Sequence, residues 1–241
     1  MILVLANSRD LQARRLVEAW RAHDARLLTL ADLSRTGWRH YLGEVGPEIA
    51  VASGELIPAA SIDGVITRIP WVAPEDLLHV VDGDRDYVAA EISAFLIAWL
   101  TQLTCPVINR PATNSLMGAP HAAEGWVAIA ARAGLRLPWT RRVFPAPPEP
   151  AWPPEAISVS ILGDRCFGDV DPALADQACR LAAAANVELL AVTFSHAAAD
   201  ATFLGAHLWP DVSLPELASA LLARFVPAAA RPAGIAAEAG A

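Results

Sequence analysis

The stretch Tyr87–Pro111, YVAAEISAFLIAWLTQLTCPVINRP, decides the fold. Val88, Ile92, Phe95, Leu96, Trp99 and Leu103 recur at helical spacing and give one apolar face. CPVINRP then switches to a brief β-like run that ends on polar residues and a proline. A core helix running into a buried strand is one layer of an α/β sheet. Asn109 and Arg110 emerge at the strand's end, where open α/β sheets bind ligands.

The chain before this stretch continues the pattern. Ile2–Ala6 is an apolar run of the kind buried parallel strands show, and a helix follows over Leu11–His23, with Ser8 or Asp10 as N-cap. Arg26–Leu30 reads as a second strand, so the chain opens β-α-β. No G-x-G-x-x-G follows the first strand, which removes the dinucleotide fingerprint. Short strands are expected near Glu48–Ala52 and Glu55–Ile57, and a parallel strand over Asp63–Arg68 with Arg68 at its exit. Pro74 starts a short helix with acids in its first turn, and Asp82–Asp86 is an acidic turn before the central helix.

The chain after it reads as a helix over Ala122–Ala133 and an extended segment from Leu135. A proline-dense linker over 145–156 follows. Beyond the linker come a strand over Ile157–Leu162 with a hairpin turn at Gly163-Asp164, a helix over Pro172–Ala185, an antiparallel strand pair, and a terminal helix over Pro215–Phe225. The tail from Val226 is rich in Ala, Pro and Gly and reads as loose.

Composition narrows the chemistry. At 241 residues and 54% hydrophobic, the chain can bury a sizeable core. A net charge of −8 argues against a general nucleic-acid binder. All 18 basic residues are arginine, so no Schiff base or phosphate-binding lysine exists in this chain. Cys105, Cys166 and Cys179 form no C-x-x-C pair, hence neither a disulfide framework nor a zinc site. MILVLANSRD turns polar too soon for a signal peptide, and the most apolar helix is too short to span a bilayer. The expectation is a cytoplasmic protein.

Six histidines occur, none in H-x-H or H-x-x-x-H, so no metal site is expected. There is no G-x-S-x-G elbow, and Ser195-His196, as adjacent strand residues, point to opposite faces and cannot pair directly as nucleophile and base. No catalytic residue is assigned. Arg68 and Arg110, both at strand exits, can take an anion or serve as salt-bridge partners. Trp71, Trp139, Trp152 and Trp209 lie in or beside loops; exposed together, they would mark a partner surface.

The order of pieces resembles the ATP-grasp ligases, nearest to the RimK-like and peptide-modifying branch. CPVINRPATNSL…GWVAIAARAGLRLPWT resembles the family's strand ending in Asn, then a helix, then Gly-Leu-x-x-Pro-x-Thr, here Asn109, Gly134-Leu135, Pro138 and Thr140. SVSILGDRCFG resembles its central strand pair, and ELLAVTFSHAAADATFLGAHLWPDV its closing metal-binding strands. The resemblance implies an α/β fold. Residues 1–110 form a pre-ATP-grasp domain with a Rossmann-like parallel sheet. Residues 111–144 supply a first helix and strand, 145–156 the linker, 157–228 a reduced α+β ATP-grasp part, and 229–241 the tail.

The departures from the family are specific. It places one lysine near Ala122 or Ala123 and another on a strand after Val143, both on ATP phosphates; this chain has neither. The magnesium-holding Asp, Glu and Asn match Thr193, Gly205 and His207 here, which lack the hard carboxylate oxygens magnesium prefers. The nucleotide lid is compressed into the linker, and almost nothing stands between Gly168 and Asp171. The resemblance therefore implies a truncated, degenerate ATP-grasp protein, a non-catalytic binding or scaffold partner in peptide modification. No cofactor is expected, and Ser8, Arg9, Arg68, Asn109 and Arg110 are the ligand-binding candidates. Two alternatives stand beside it: an active ATP- and magnesium-dependent carboxylate-amine ligase completed by a partner chain, and a Rossmann-like small-molecule binder. The expected partner is a protein or peptide, with no nucleic acid and no membrane, and self-association is left open.

Overall fold

In the computed structural model, residues 1–41, 46–138 and 152–226 are described here. Most of the proline-rich linker, Trp139, Thr140, Val143 and the tail lie outside them.

Two four-stranded sheets carry the chain. The first is parallel, in the order β2-β1-β5-β6, from Ile2–Leu5 (β1), Ala25–Leu28 (β2), Gly64–Thr67 (β5) and Val107–Ile108 (β6). Between β2 and β5 lie a helical turn, Leu30–Leu33 (α2), and a small hairpin of Ile49–Ala52 (β3) and Glu55–Pro58 (β4). The second sheet is antiparallel, in the order β10-β9-β7-β8, from Ile157–Leu162 (β7), Arg165–Phe167 (β8), Leu189–Phe194 (β9) and Phe203–His207 (β10).

Strand alternation sorts the parallel sheet into two cores. Leu3, Leu5, Val65 and Val107 face the central helix Arg85–Gln102 (α3), through Leu96, Trp99 and Leu100. Ile2, Val4, Ile66 and Ile108 face the other way, onto Leu11–Ala19 (α1) and Pro215–Phe225 (α6). The same core takes in Leu162, Phe167 and Leu189 of the antiparallel sheet. So α6 is an apolar wedge shared by both sheets. Gly64 permits its close approach: any Cβ there would run into the ring of Phe225. A third core packs Ala123–Arg132 (α4) and Pro172–Ala185 (α5) on the antiparallel sheet.

The central helix starts at Arg85, with Ala89, Leu96, Trp99 and Leu100 buried and Val88, Ile92 and Phe95 half-buried against the same core. The second strand stops two residues earlier than its apolar pattern suggests. Thr29 and Asp32 form a capping box that turns Leu30–Leu33 into a helix. The first helix ends at Ala19 and continues as a 3₁₀ turn over Arg21–His23, closed by Asp24 in the left-handed region; Asp10 is its N-cap. The segment at Pro74 is likewise a 3₁₀ turn. No helix among the described residues is long and apolar enough to cross a membrane.

Candidate functional site

Asn109 and Arg68 sit at the seam between the sheets, and both are buried. The Asn109 amide oxygen accepts from the backbone N–H of Glu188 (2.9 Å) and Leu189 (2.8 Å), and its amide nitrogen donates to the carbonyl of Leu189 (2.8 Å). That is the pattern of a neighbouring strand end, supplied by one side chain 80 residues away. The Arg68 guanidinium donates to Asp10 Oδ2 (2.7 Å), Gln12 Oε1 (2.8 Å) and the carbonyl of Pro210 (3.2 Å). It also lies 5.4 Å from the ring of Trp209. The other three ligand-binding candidates border crevices. Ser8 and Arg9 border a crevice of about 180 Å³ at the ends of β1 and β2, with Asn7, Glu75, Asp76 and His79. Arg110 borders a polar cavity of about 420 Å³ with Arg132, Asn186 and Glu188, and Asn109 lines the same cavity. Among the described residues the Arg110 guanidinium makes two long hydrogen bonds, to the carbonyls of Thr101 (3.5 Å) and Cys105 (3.4 Å). Asn109 and Arg110 thus share one cavity, Ser8 and Arg9 share a second crevice, and Arg68 stands apart from both, bonded to Asp10, Gln12 and Pro210.

A larger cleft, of about 510 Å³, opens where β10 meets α4. Thr193 pairs directly across from Gly205, and both line it together with His207. Ala123, at the start of α4, lines it too. The family resemblance assigns its magnesium ligands and first lysine to these four positions, so the fold does gather them. The donor set does not fit magnesium or nucleotide phosphates. No carboxylate and no arginine borders the cleft among the described residues. Trp126, Trp152, Trp209, Met117 and Val127 contribute large apolar side chains to its wall. A Cβ on Gly205 would already touch the indole of Trp152 at 3.4 Å, so Trp152 covers the strand where a ligating side chain would project. His207 accepts a hydrogen bond from the backbone of Trp209 at Nδ1, and burial holds its pKa below the usual histidine value. No group of three or more His, Cys, Asp or Glu that could hold a metal occurs among the described residues.

The tryptophans were visible in the sequence as loop residues, and three are exposed: Trp71 by 59%, Trp152 by 47% and Trp209 by 41%. Trp71 borders an adjoining groove that shares Pro70 and Ser115 with the cleft. Trp126, on α4, is buried, meets His121 edge-on at 4.8 Å, and still reaches the cleft wall.

Ser195 and His196 do pair, contrary to the strand-alternation expectation. They lie just beyond the end of β9, where alternation no longer holds. Ser195 Oγ donates to His196 Nδ1 (2.9 Å), and His196 Nε2 donates to Asp200 (2.9 Å), which lowers the Asp200 pKa. The arrangement has the outline of a hydrolase triad. However, Ser195 Oγ accepts from both the N–H and the hydroxyl of Thr202, so its lone pairs are taken. It borders none of the cavities above, and the row acts as a clasp on the β9–β10 turn. The cysteines are poor nucleophiles: burial raises all three thiols, Cys166 to about 11.

Sequence comparison matches the chain to no protein-family model and to no curated protein. Structure comparison is informative. The macrocyclase MdnC from Microcystis aeruginosa MRC, bound with precursor peptide MdnA, aligns at TM-score 0.66 with 11% identity, over 93% of this chain and 99% of that one. The ATP-grasp ligase PsnB, complexed with a phosphomimetic variant of its minimal precursor, Mg and ADP, aligns at TM-score 0.66 with 16% identity, over 93% and 98%. A RimK domain ATP-grasp protein from Sphaerobacter thermophilus DSM 20745 aligns at 0.51 with 16% identity, over 92% and 100%. The chain has the ATP-grasp fold. Within that fold its likeness extends to ligases solved with precursor peptides.

Proposed function

We propose that this protein is a peptide-binding member of the ATP-grasp architecture that does not perform the ligase reaction and needs neither ATP nor magnesium. The observation that carries this reading is the lining of the central cleft. Phosphoryl transfer is catalysed by positioning and by neutralising phosphate charge, with metal and cationic side chains as the instruments. Here Thr193, Gly205, His207 and Ala123 stand at the decisive positions, and tryptophan fills the space around them. Precursor peptides bound to MdnC and PsnB support a peptide as the partner. The exposed tryptophans around the cleft support a contact surface there.

Calorimetric titration of the full chain with ATP and magnesium tests the reading. No saturable heat is expected up to millimolar nucleotide. Tight, magnesium-dependent ATP binding would overturn it and restore the ligase.

A further inference from the structure

The peptide-binding reading leaves open what a peptide would present to the cleft, and this inference rests on that reading. We propose that the cleft holds a planar aromatic side chain of the bound peptide, packed against the indoles of Trp126, Trp152 and Trp209.

Charge selects first. The wall holds no carboxylate or arginine among the described residues, and its titratable side chains are the imidazoles of His121 and His207, so a phosphate or carboxylate entering the cleft would shed water and meet no fixed positive charge. A cation could use the indole faces, as aromatic cages do. Arg68 opposes this, because its guanidinium already stands 5.4 Å from the Trp209 ring, and a second positive charge there meets the first. An uncharged group remains.

Shape and hydrogen bonding select next. About 510 Å³ is ample for one large side chain and its flanking backbone. Trp152 rests on β10 at Gly205, where the missing side chain leaves the strand surface flat. Flat walls favour flat guests, because offset and edge-to-face ring contacts add to simple burial. The indole N–H groups of Trp152 and Trp209 make no hydrogen bond among the described residues, and an aromatic guest offers them a ring face or hydroxyl that an aliphatic one lacks.

The experiment uses the full chain labelled with ¹⁵N. Its eight tryptophans give at most eight indole N–H signals, few enough to assign by substitution. The N-acetyl amides of tryptophan, tyrosine, leucine and arginine are added in turn, followed by ATP with magnesium. The proposal expects the Trp152 and Trp209 signals to move with the two aromatic amides, and at least fivefold less at equal concentration with the other two. W152A should weaken the aromatic response roughly tenfold. G205L, which fills the cleft from the strand side, should abolish it and gives a second reading should W152A fold poorly. Equal response to leucine amide, a stronger response to arginine amide, or signals unmoved by any amide would overturn the proposal while leaving peptide binding elsewhere intact. Movement with ATP and magnesium would instead overturn the non-catalytic reading.

Discussion

At the seam between the two sheets, the polar heads of Arg68 and Asn109 each make three hydrogen bonds, and both are buried. In the cleft, only a short way from Arg68 through Trp209, the wall carries indole, thioether and small side chains, with Ser115, Thr193, His121 and His207 as its polar groups and no arginine or carboxylate among the described residues. The two regions answer to different demands. Buried polar groups must be satisfied or the sheets separate. On the proposed non-catalytic reading, the cleft has no phosphate charge to neutralise, and aromatic surface can stand there instead. The contrast explains how an ATP-grasp fold persists while its expected donor set does not.

Substitutions at the seam should therefore unfold the protein, and those at the cleft should not. Asn109→Ala carries the largest expected effect. It strands the N–H groups of Glu188 and Leu189 and the carbonyl of Leu189 at once, a loss of about 4 kcal/mol if each costs ~1–2 kcal/mol. Urea unfolding measures it; a loss below about 1 kcal/mol would mean the sheets do not depend on this side chain. Arg68→Met should follow, at about 3 kcal/mol, because Asp10 is left largely buried without its partner. This variant sharpens the contrast, since Arg68 also abuts Trp209 and bonds to Pro210 beside it. Its indole N–H signal for Trp209 should shift even under conditions where the variant remains folded.

How much of this was legible beforehand depends on the range of the interaction involved. The helices Pro172–Ala185 and Pro215–Phe225 were readable to the residue, since each begins on a proline at the first helical position and keeps a regular apolar stripe. The β7–β8 hairpin announced itself through Gly163-Asp164. Asn109 looked like a ligand-binding strand end because its partners lie 79 and 80 residues further on, beyond any local pattern. Ser195 and His196 were misread because a strand rule was applied one residue past the strand. The end of β2 was misread because apolar Leu30 masked the Thr29–Asp32 capping box. The cleft's four key positions came from family resemblance, whereas its tryptophans come from a helix and from two loops far apart in the chain, and only the fold assembles them.

At the cleft, Trp152→Ala should change stability by no more than about 0.5 kcal/mol, since the ring is nearly half exposed. Thermal unfolding checks this directly. A loss as large as that of Arg68→Met would break the contrast, because it would make the indole part of the fold's foundation and remove the reason to treat the cleft as a binding surface.

The smallest effect expected is also the one that isolates the cleft's lack of charge. Burial lowers the pKa of His207 from its ordinary value of 6.5. Well above pH 6.5 the imidazole is neutral in the folded and unfolded chains alike, and it contributes no pH dependence. As pH falls below 6.5, the unfolded chain takes the proton first, so stability declines until the folded-state pKa is reached and then levels. Urea midpoints at pH 7.5, 6.5 and 5.5 should thus fall more steeply for the native chain than for His207→Gln, with the difference small at pH 7.5 and growing as pH falls through 6.5. Parallel curves would mean that the folded cleft accommodates an imidazolium as readily as water does, and a wall that solvates a cation that well is not the uncharged aromatic surface on which the contrast with the seam depends.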